Sequence, residues 1–164
     1  MSDAVPTLPL ANIDAPTVVG WREWAYLPEL HLEPIRAKVD TGAKTCALHA
    51  FYVEPFMKAE QPWVRFGMHP VAKRNDIVVH CEAPLADHRP VTDSGGHREL
   101  RYVIVTPIRL GSRLFSAEIT LTDRESMQYR MLLGRNALSG FLVDPTRSYC
   151  LGRYRRSAKR NDRA

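Results

Sequence analysis

The sequence predicts one all-β domain, and three observations support this prediction. Short runs rich in β-branched and aromatic residues alternate with Pro, Gly and Asn-Asp turns between Thr17 and Gly152. No stretch has the sustained 3.6-residue periodicity of a long amphipathic helix. With 164 residues, 45% of them hydrophobic, the chain is long enough to bury one normal core and short for two.

The clearest strand signal precedes an acidic residue. In "IRAKVD", residues 35–40, the apolar residues Ile35, Ala37 and Val39 alternate with charged ones. This period of two is typical of a half-buried strand, which we expect to end at Asp40.

Further strands follow along the chain. "YVIVTPIRL" (102–110) and "RLFSAEITLT" (113–122) flank Gly111-Ser112, a pair suited to a two-residue hairpin turn. Three later runs also resemble strands, and one segment is long enough only for a short helical turn: "MLLG", "FLVD" and "SYCL", and "RNALSG" (135–140).

The two ends of the chain differ from this body. Residues 1–16 contain three prolines and no sustained periodicity, which predicts a flexible leader before a domain over 17–152. Residues 153–164 contain six basic residues and one acid, and the rest of the chain has 17 of each. The net charge of +5 therefore lies in the tail, which we expect to be disordered or else an arm for RNA or another anionic partner.

The cysteines and the hydropathy indicate a compartment. Three cysteines at wide, irregular spacing, Cys46, Cys81 and Cys150, do not suit a disulfide framework and fit a reducing environment. The sequence shows neither a secretory signal nor an apolar run approaching the 18 or so residues of a membrane span. We expect a soluble cytoplasmic protein without a membrane partner.

The tripeptide Asp40-Thr41-Gly42 allows two interpretations. As a turn, the Asp side chain bonds the backbone two residues on and the Gly supplies a positive φ. As a catalytic loop, the Asp carboxylate reaches substrate, the Thr hydroxyl braces the loop through a buried hydrogen bond, and the Gly lets backbone approach closely. The tripeptide alone does not decide between them.

A second motif strengthens the catalytic interpretation. "VDTGA" (39–43) followed by "MLLGRNAL" (131–138) resembles the retropepsins, the one-domain aspartic proteases of retroviruses. The resemblance implies a closed, dimer-forming acid-protease barrel with one short helix. It makes Asp40 the catalytic residue, supported by two loops: Thr41, Gly42 and Ala43 in the first, and Leu132, Leu133, Gly134 and Arg135 in the second.

A closer resemblance is to a bacterial retropepsin-like family, the RimB-like proteins, which are also labelled ATP-dependent zinc proteases. The matching pieces cover most of residues 20–150 in order: "AKVDTGAKTCALHA", "WVRF", "DSGGHRELRYVI", "EITLTDR", "MLLGRNAL" and "FLVDP". The viral enzymes carry acids directly after the Asp-Thr-Gly-Ala, one of which pairs with the later Arg. Here Lys44 and Thr45 follow, so Arg135 needs another partner, and a segment around 52–80 is inserted.

One aspartate cannot complete the chemistry that the resemblance implies. Aspartic peptidases use two carboxylates that share one proton, because like charges so close cannot both ionise. We therefore expect a homodimer in which each subunit contributes Asp40.

The lid over such a site is expected at "VTDSGGHRE", residues 91–99. Ser94, Gly95 and Gly96 form a hinge-like tip between strand-like flanks, although an ordinary hairpin loop has the same composition. Arg98 and Arg101 beside it suit acidic substrates, and exposed arginines also commonly just solvate a face.

Other cofactor sites lack their patterns. The sequence has no His-Glu-x-x-His zinc motif and no phosphate-binding loop, so we expect no metal and no other cofactor. An improvised zinc site from Cys46 and His49 with His80 and Cys81 is the alternative. Six scattered aromatic residues are expected in the core, with a peptide-binding wall as the alternative: Trp21, Trp24, Phe51, Tyr52, Phe56 and Trp63.

These observations favour a metal-independent aspartic endopeptidase. The family resemblance implies glutamate-rich tails of a ribosomal protein as substrate and an ATP-grasp glutamate ligase as partner. A retropepsin-fold module that docks onto such a partner without cleaving anything, and an RNA- or ribosome-associated protein led by the basic tail, are the alternatives.

Overall fold

The computed structural model describes residues 16–124 and 127–155. The predicted leader therefore lies outside the described residues except for Pro16, as do residues 156–164 of the predicted tail. Eleven strands make up the described chain: β1 (Thr17–Val19), β2 (Arg22–Ala25), β3 (Ile35–Val39), β4 (Cys46–His49), β5 (Tyr52–Lys58), β6 (Gln61–Met68), β7 (Val79–Thr92), β8 (Arg98–Leu110), β9 (Arg113–Thr122), β10 (Met131–Leu133) and β11 (Phe141–Val143).

The local strand predictions are confirmed where periodicity was strongest. In β3 the side chains of Ile35 and Ala37 are buried and Lys38 is exposed, as the alternation requires. Strands β8 and β9 are joined by the two-residue turn at Gly111, whose φ of 59° lies in the left-handed region that glycine favours.

Helical structure in the described residues is limited to two 3₁₀ turns, Pro28–Leu30 and Arg135–Ala137. The second is the short helix predicted from "RNALSG". None of the described helices has the length and apolar character needed to cross a membrane.

The segment "SYCL", predicted as a strand, is a turn. Tyr149 has φ 54°, and the carboxylate of the buried Glu23 accepts backbone hydrogen bonds from Cys150 (2.7 Å) and Leu151 (3.3 Å). Tyr149 makes one backbone contact with β2, in which its N–H donates to the carbonyl of Arg22 (2.9 Å), and the Glu23 contacts then turn the chain. A buried carboxylate more than a hundred residues away thus decides the local structure.

The sheet is open, in contrast to the closed barrel implied by the resemblance. Nine strands pair in the order β2-β3-β10-β4-β9-β8-β7-β6-β5, and β1 pairs with β11 separately. The inserted segment forms the hairpin β5-β6, which extends the sheet beyond β7 instead of returning it to β2. Between the described residues, one isolated bridge, Tyr26 to Arg109, links the β2 end to β8.

One core lies under the whole sheet. Its buried side chains come from both halves of the strand order and include Ala25 of β2, Leu48 of β4, Phe66 of β6 and Ile104 of β8. The all-β, single-core prediction is therefore confirmed, while closure of the barrel is not.

The pairing at the centre of the sheet determines where the site lies. Strand β10 runs parallel to β3, with Met131 opposite Ala37 and Leu133 opposite Val39. Parallel neighbours end at the same edge of a sheet. The loop that follows β3 and the loop that follows β10 are therefore brought together.

Candidate active site

Asp40 lies at the point where β3 ends. Its backbone N–H donates to the carbonyl of Leu133 (2.9 Å), and its Oδ1 accepts the N–H of Gly42 (3.0 Å). The residue is half-buried. The predicted turn hydrogen bond is therefore present, although Gly42 does not adopt the positive φ expected of it, and the same hydrogen bonds fix the carboxylate at the sheet edge.

The loop after β10 grips the Asp40 loop through main-chain contacts. The N–H of Arg135 donates to the carbonyl of Ala43 (2.8 Å), and the N–H of Asn136 donates to that of Lys44 (3.0 Å). The Arg135 guanidinium donates through Nη1 to the carbonyl of Thr41 (3.0 Å). The acid that pairs with this Arg in the viral enzymes is thus replaced by a backbone carbonyl.

Close approach of the two loops requires glycine at 134. A Cβ on Gly134 would lie 2.3 Å from the carbonyl oxygen of Thr45, although the backbone φ of −84° would accept any residue. Leu133 beside it is fully buried, and Leu132 pairs with Lys38 and Ala47. Every residue predicted to support the catalytic loop therefore lies at this junction.

The expected role of the Thr41 side chain differs from the structure. We expected its hydroxyl to brace the loop through a buried hydrogen bond, but Thr41 is exposed. The brace runs through its carbonyl oxygen to Arg135 instead.

Two arginines lie on the Asp40 side of the sheet. Burial lowers the pKa of Arg124, the like charge of Arg101 lowers it further, and the negative charge of Asp40 acts in the opposite direction. Arg101 is 13% exposed and donates through Nε to Glu99 (3.1 Å). Arg124, which the sequence did not single out, therefore interacts electrostatically with both Asp40 and the predicted substrate residue Arg101.

A buried histidine pair positions Arg124. The Arg124 N–H donates to Nδ1 of His49 (2.9 Å), so that nitrogen carries no proton. The proton of His49 is then on Nε2, which donates to Nδ1 of His69 (2.9 Å). Burial lowers the pKa of His49 to about 4, and the charge of Arg130 adds to this effect. His49 is therefore neutral at pH 7.

The predicted lid is the tip of a long projecting hairpin. Beyond Leu85, β7 pairs with β8 alone, and β8 gains its second partner, β9, only from Val103 onward. Residues 87–102 thus form a two-stranded ribbon, here called the arm. Side chains of the arm also contact β9, where Arg89 pairs with Glu118 (2.7 Å) and the Thr122 hydroxyl donates to Glu99 (2.9 Å). Two-stranded ribbons are marginally stable by themselves, so the tip of the arm beyond these contacts suits a moving element.

A compact turn closes the arm. Asp93 Oδ1 accepts hydrogen bonds from the backbone N–H groups of Gly95 and His97 (both 2.9 Å). Both bonds lower the pKa of Asp93, and the bond from His97 has the largest effect. Ser94 is exposed, and Gly96 has φ 82°. Arg98 is exposed at the base of this turn, whereas Arg101 is partly buried and donates to Glu99 and to the Thr120 hydroxyl on β9.

The improvised zinc site is not assembled. Within the described part of the chain, no three His, Cys, Asp or Glu side chains group closely enough to hold a metal ion. Burial raises the pKa of Cys46 to about 11 and that of Cys81 to about 12, which disfavours the thiolate that zinc requires. His80 contacts the Tyr52 hydroxyl (2.7 Å) and His49 contacts His69, so the four proposed ligands face different partners.

Comparison with known families gives one match over most of the chain. Residues 18–153 match the model of the RimB-like family, described as retropepsin-like aspartic endopeptidase RimB. The match includes the Asp40 loop, the Arg135 loop and the arm.

The chain is also similar to part of larger proteins. It is 45% identical over 136 residues to a probable alpha-L-glutamate ligase of Shewanella pealeana and 39% identical over 139 residues to one of Desulfotalea psychrophila. The alignments cover 82% and 84% of this chain but 30% of each relative. The chain therefore spans about a third of the length of the curated relatives it matches.

One solved structure has a similar fold over its full length. A crystal structure of a Legionella pneumophila protein of unknown function matches with a TM-score of 0.66 and 28% identity. The match covers 82% of this chain and 98% of that one, so that protein consists almost entirely of the same fold.

Proposed function

The chain belongs to the RimB-like family of retropepsin-like aspartic endopeptidases, and from this premise we propose that it is an aspartic peptidase acting as a homodimer. The observation that carries the proposal is the junction of the two loops around Asp40. Four hydrogen bonds between these loops hold a half-buried carboxylate at a sheet edge, beside a projecting arm.

The proposed mechanism needs two such carboxylates. Two Asp40 side chains a few ångströms apart share one proton, because their like charges cannot both ionise. The ionised carboxylate takes a proton from a water held between them, and the protonated one donates to the scissile carbonyl oxygen. General acid-base catalysis of this kind contributes about 10²–10⁴ in rate. The arm closes over the substrate and excludes bulk water.

We propose glutamate-rich chains as substrate. The two arginines on the Asp40 side, Arg101 and Arg124, place positive charge where carboxylate side chains of a substrate would lie. The larger relatives are named for ligation of glutamate, the reverse of the bond cleavage proposed here. The ligase itself is then the expected functional partner, and a glutamate-bearing ribosomal protein in the cytoplasm is the expected target.

A non-catalytic docking module is the alternative. The region makes up 30% of relatives named as ligases, which is compatible with a module that presents substrate to a ligase. Such a module has no chemical need for the Asp40 carboxylate, so loss of that carboxylate separates the two functions.

A subunit-mixing experiment tests the proposal. Wild-type protein at fixed concentration is mixed with increasing Asp40→Asn protein, and cleavage of an oligoglutamate peptide is followed after the dimers have exchanged. A mixed dimer has one carboxylate and is inactive, so a ninefold excess of the variant should reduce the activity to about a tenth. Sedimentation of the same samples reports whether dimers are present.

Asp144→Asn protein serves as the matched control, because the same mixing should raise the total activity rather than lower it. Purified Asp40→Asn protein that cleaves at the wild-type rate would show that the Asp40 carboxylate is not catalytic. Wild-type protein that binds oligoglutamate without cleaving it would leave only the docking module. A fully active monomer would disprove the shared site.

A further inference from the structure

A cavity of about 440 Å³ is lined by residues of β2 and β3, by residues 70–72, by Gln128 and Arg130, and by the chain from Tyr149 to Arg155. Small-molecule pockets occupy about 300–1,000 Å³, so the cavity is large enough for a specific ligand. Five arginines line it: Arg22, Arg36, Arg130, Arg153 and Arg155. None of the described residues that line it is acidic.

Two of the five arginines, Arg22 and Arg153, are held in place by aromatic rings. The Arg22 guanidinium lies 4.5 Å from the ring centroid of Trp21 and 4.8 Å from that of Tyr149, and Arg153 lies 5.3 Å from Tyr149. Arg22 also donates to the Tyr129 hydroxyl (3.0 Å). Stacking fixes the plane of a guanidinium and leaves the N–H groups at its edge able to donate.

Four of these five charges have no acidic partner among the described residues. None of the ion pairs between described residues includes Arg22, Arg36, Arg153 or Arg155. Several guanidinium groups around one cavity repel each other, and an anion bound between them removes that repulsion. Arginine binds carboxylate and phosphate groups through paired hydrogen bonds, so an anionic ligand is indicated.

The aromatic rings favour a carboxylate ligand over a nucleic acid. Trp24 stacks on Tyr149 with centroids 6.0 Å apart, and the edge-on ring of Tyr154 lies 5.6 Å from Trp24. The rings are thus covered by each other and by Arg22 and Arg153. Binding of single-stranded nucleic acid relies on free ring faces on which bases stack.

The cavity and the candidate active site are connected through strand β3. Arg36 is four residues from Asp40 along one strand, about 13 Å at the rise of a β-strand, and the alternation places Lys38 between them on the same side. A second connection runs through Arg130, whose Nη1 donates to the carbonyl of Arg124, the residue that interacts with Asp40. An extended peptide has the same rise, so about four of its residues span the gap.

We propose that this arginine cavity binds a run of glutamate side chains of the substrate, upstream or downstream of the bond held at Asp40. The choice of glutamate rests on the proposed function, whereas the cavity and its charge do not. Long acidic chains would thereby be bound more tightly than short ones. Residues 153–155, the first of the predicted basic tail, form part of this site.

Binding is measured in Asp40→Asn protein, so that the result does not depend on turnover. The probe is a fluorescein-labelled hexaglutamate peptide, titrated by fluorescence anisotropy at low salt, with hexaglutamine as the neutral reference. Adding Arg36→Gln and Arg153→Gln should weaken hexaglutamate binding about tenfold or more, because two charged hydrogen-bonding groups are lost.

The matched control is Lys58→Gln with Arg65→Gln, which removes the same charge beside Glu82 on β5 and β6. It should change binding less than about twofold, since exposed charges away from the site act only through the screened overall field. Equal weakening by both pairs, or no effect of the cavity pair, would overturn the proposal. Tighter, cavity-dependent binding of a single-stranded oligonucleotide would also overturn it.

Thermal unfolding checks that each variant is folded. If the Gln pair does not fold, Arg36→Lys with Arg153→Lys keeps the charge but loses the paired hydrogen bonds, and weakening by more than about threefold is the expected result. Hexaglutamate binding that requires the cavity, in a protein whose wild type cleaves nothing, would support the cavity while refuting the peptidase. In an active wild-type enzyme, the cavity pair should raise KM for hexaglutamate and leave kcat unchanged.

Discussion

Asp40 and Asp144 occupy matching positions in two parts of the molecule. Each follows a valine at the end of a strand, and each strand runs parallel to a partner, β3 to β10 and β11 to β1. The backbone N–H of each donates to a carbonyl of that partner, Leu133 (2.9 Å) or Val19 (2.8 Å). In each, Oδ1 accepts the N–H two residues on, at 3.0 and 2.9 Å.

The surroundings of the two carboxylates differ. Asp144 Oδ1 also accepts the hydroxyl of Thr146 (2.6 Å), and this bond is the main reason why the pKa of Asp144 is lowered. Asp144 therefore serves its own turn. The Asp40 turn is instead gripped from outside by Arg135 and lies beside Arg124. The comparison shows that one local turn can be structural or functional depending on what packs around it.

Replacing each aspartate by asparagine gives the largest expected contrast. Asp40→Asn keeps the shape of the side chain but removes the ionisable group, so turnover of an oligoglutamate peptide should fall by about 10³-fold or more. Its melting temperature should stay the same or rise, because two carboxyl groups forced together repel each other. Asp144→Asn should leave turnover close to wild type and mainly affect stability. Steady-state kinetics and thermal unfolding of both variants provide the measurement.

The glycines that follow the two partner strands, Gly134 after β10 and Gly20 after β1, give the second contrast. A Cβ on Gly134 would lie 2.3 Å from the Thr45 carbonyl oxygen, and a Cβ on Gly20 would lie 2.3 Å from that of Arg147. Either change to Ala should lower the free energy of unfolding by about 3 kcal/mol, because backbone must move to relieve the clash. At a temperature where both variants are folded, only Gly134→Ala should also lower kcat. Equal kcat in the two variants would mean that the loop junction does not position Asp40.

The surroundings of Asp40, unlike those of Asp144, include the buried pair of His49 and His69. This pair predicts that the free energy of unfolding falls in acid. The pKa of His49 is lowered from 6.5 to about 4, so the unfolded chain binds a proton between these values and the folded chain does not. The stability due to neutral His49 is complete above about pH 6.5 and is lost as the pH falls toward 4, a change on the order of 3 kcal/mol.

His49→Gln tests this prediction, since an amide can keep both hydrogen bonds without titrating. The free energy of unfolding should depend less steeply on pH in the variant between pH 6.5 and 4 than in the wild type. Parallel pH curves from denaturant titrations would show that His49 does not contribute.

Chelation should have the smallest effect. The proposed chemistry needs two carboxylates and a water, and the buried thiols of Cys46 and Cys81 are poor zinc ligands because burial raises their pKa. Activity should be unchanged after dialysis against EDTA. Activity that is lost on chelation and restored by zinc would mean that turnover depends on a metal ion and not on the pair of Asp40 carboxylates.

Local patterns in the sequence were sufficient for the parts of the fold with short-range causes. The alternation in 35–40 predicted β3, the pair Gly111-Ser112 predicted the β8-β9 turn, and the two motifs that meet at Asp40 predicted which loops would lie together. The strand and the turn depend on interactions within a few residues. The meeting of the two loops was implied by the family resemblance.

Tertiary contacts decided the rest. The six aromatic residues expected in the core are only partly buried or exposed, and Trp24 lines the arginine cavity. Arg124 is held by His49, 75 residues away, and the turn at Tyr149 is held by Glu23, more than 120 residues away. The sequence contains no local signal for these pairs, because a buried polar group takes whichever donor the folded chain brings within hydrogen-bonding distance.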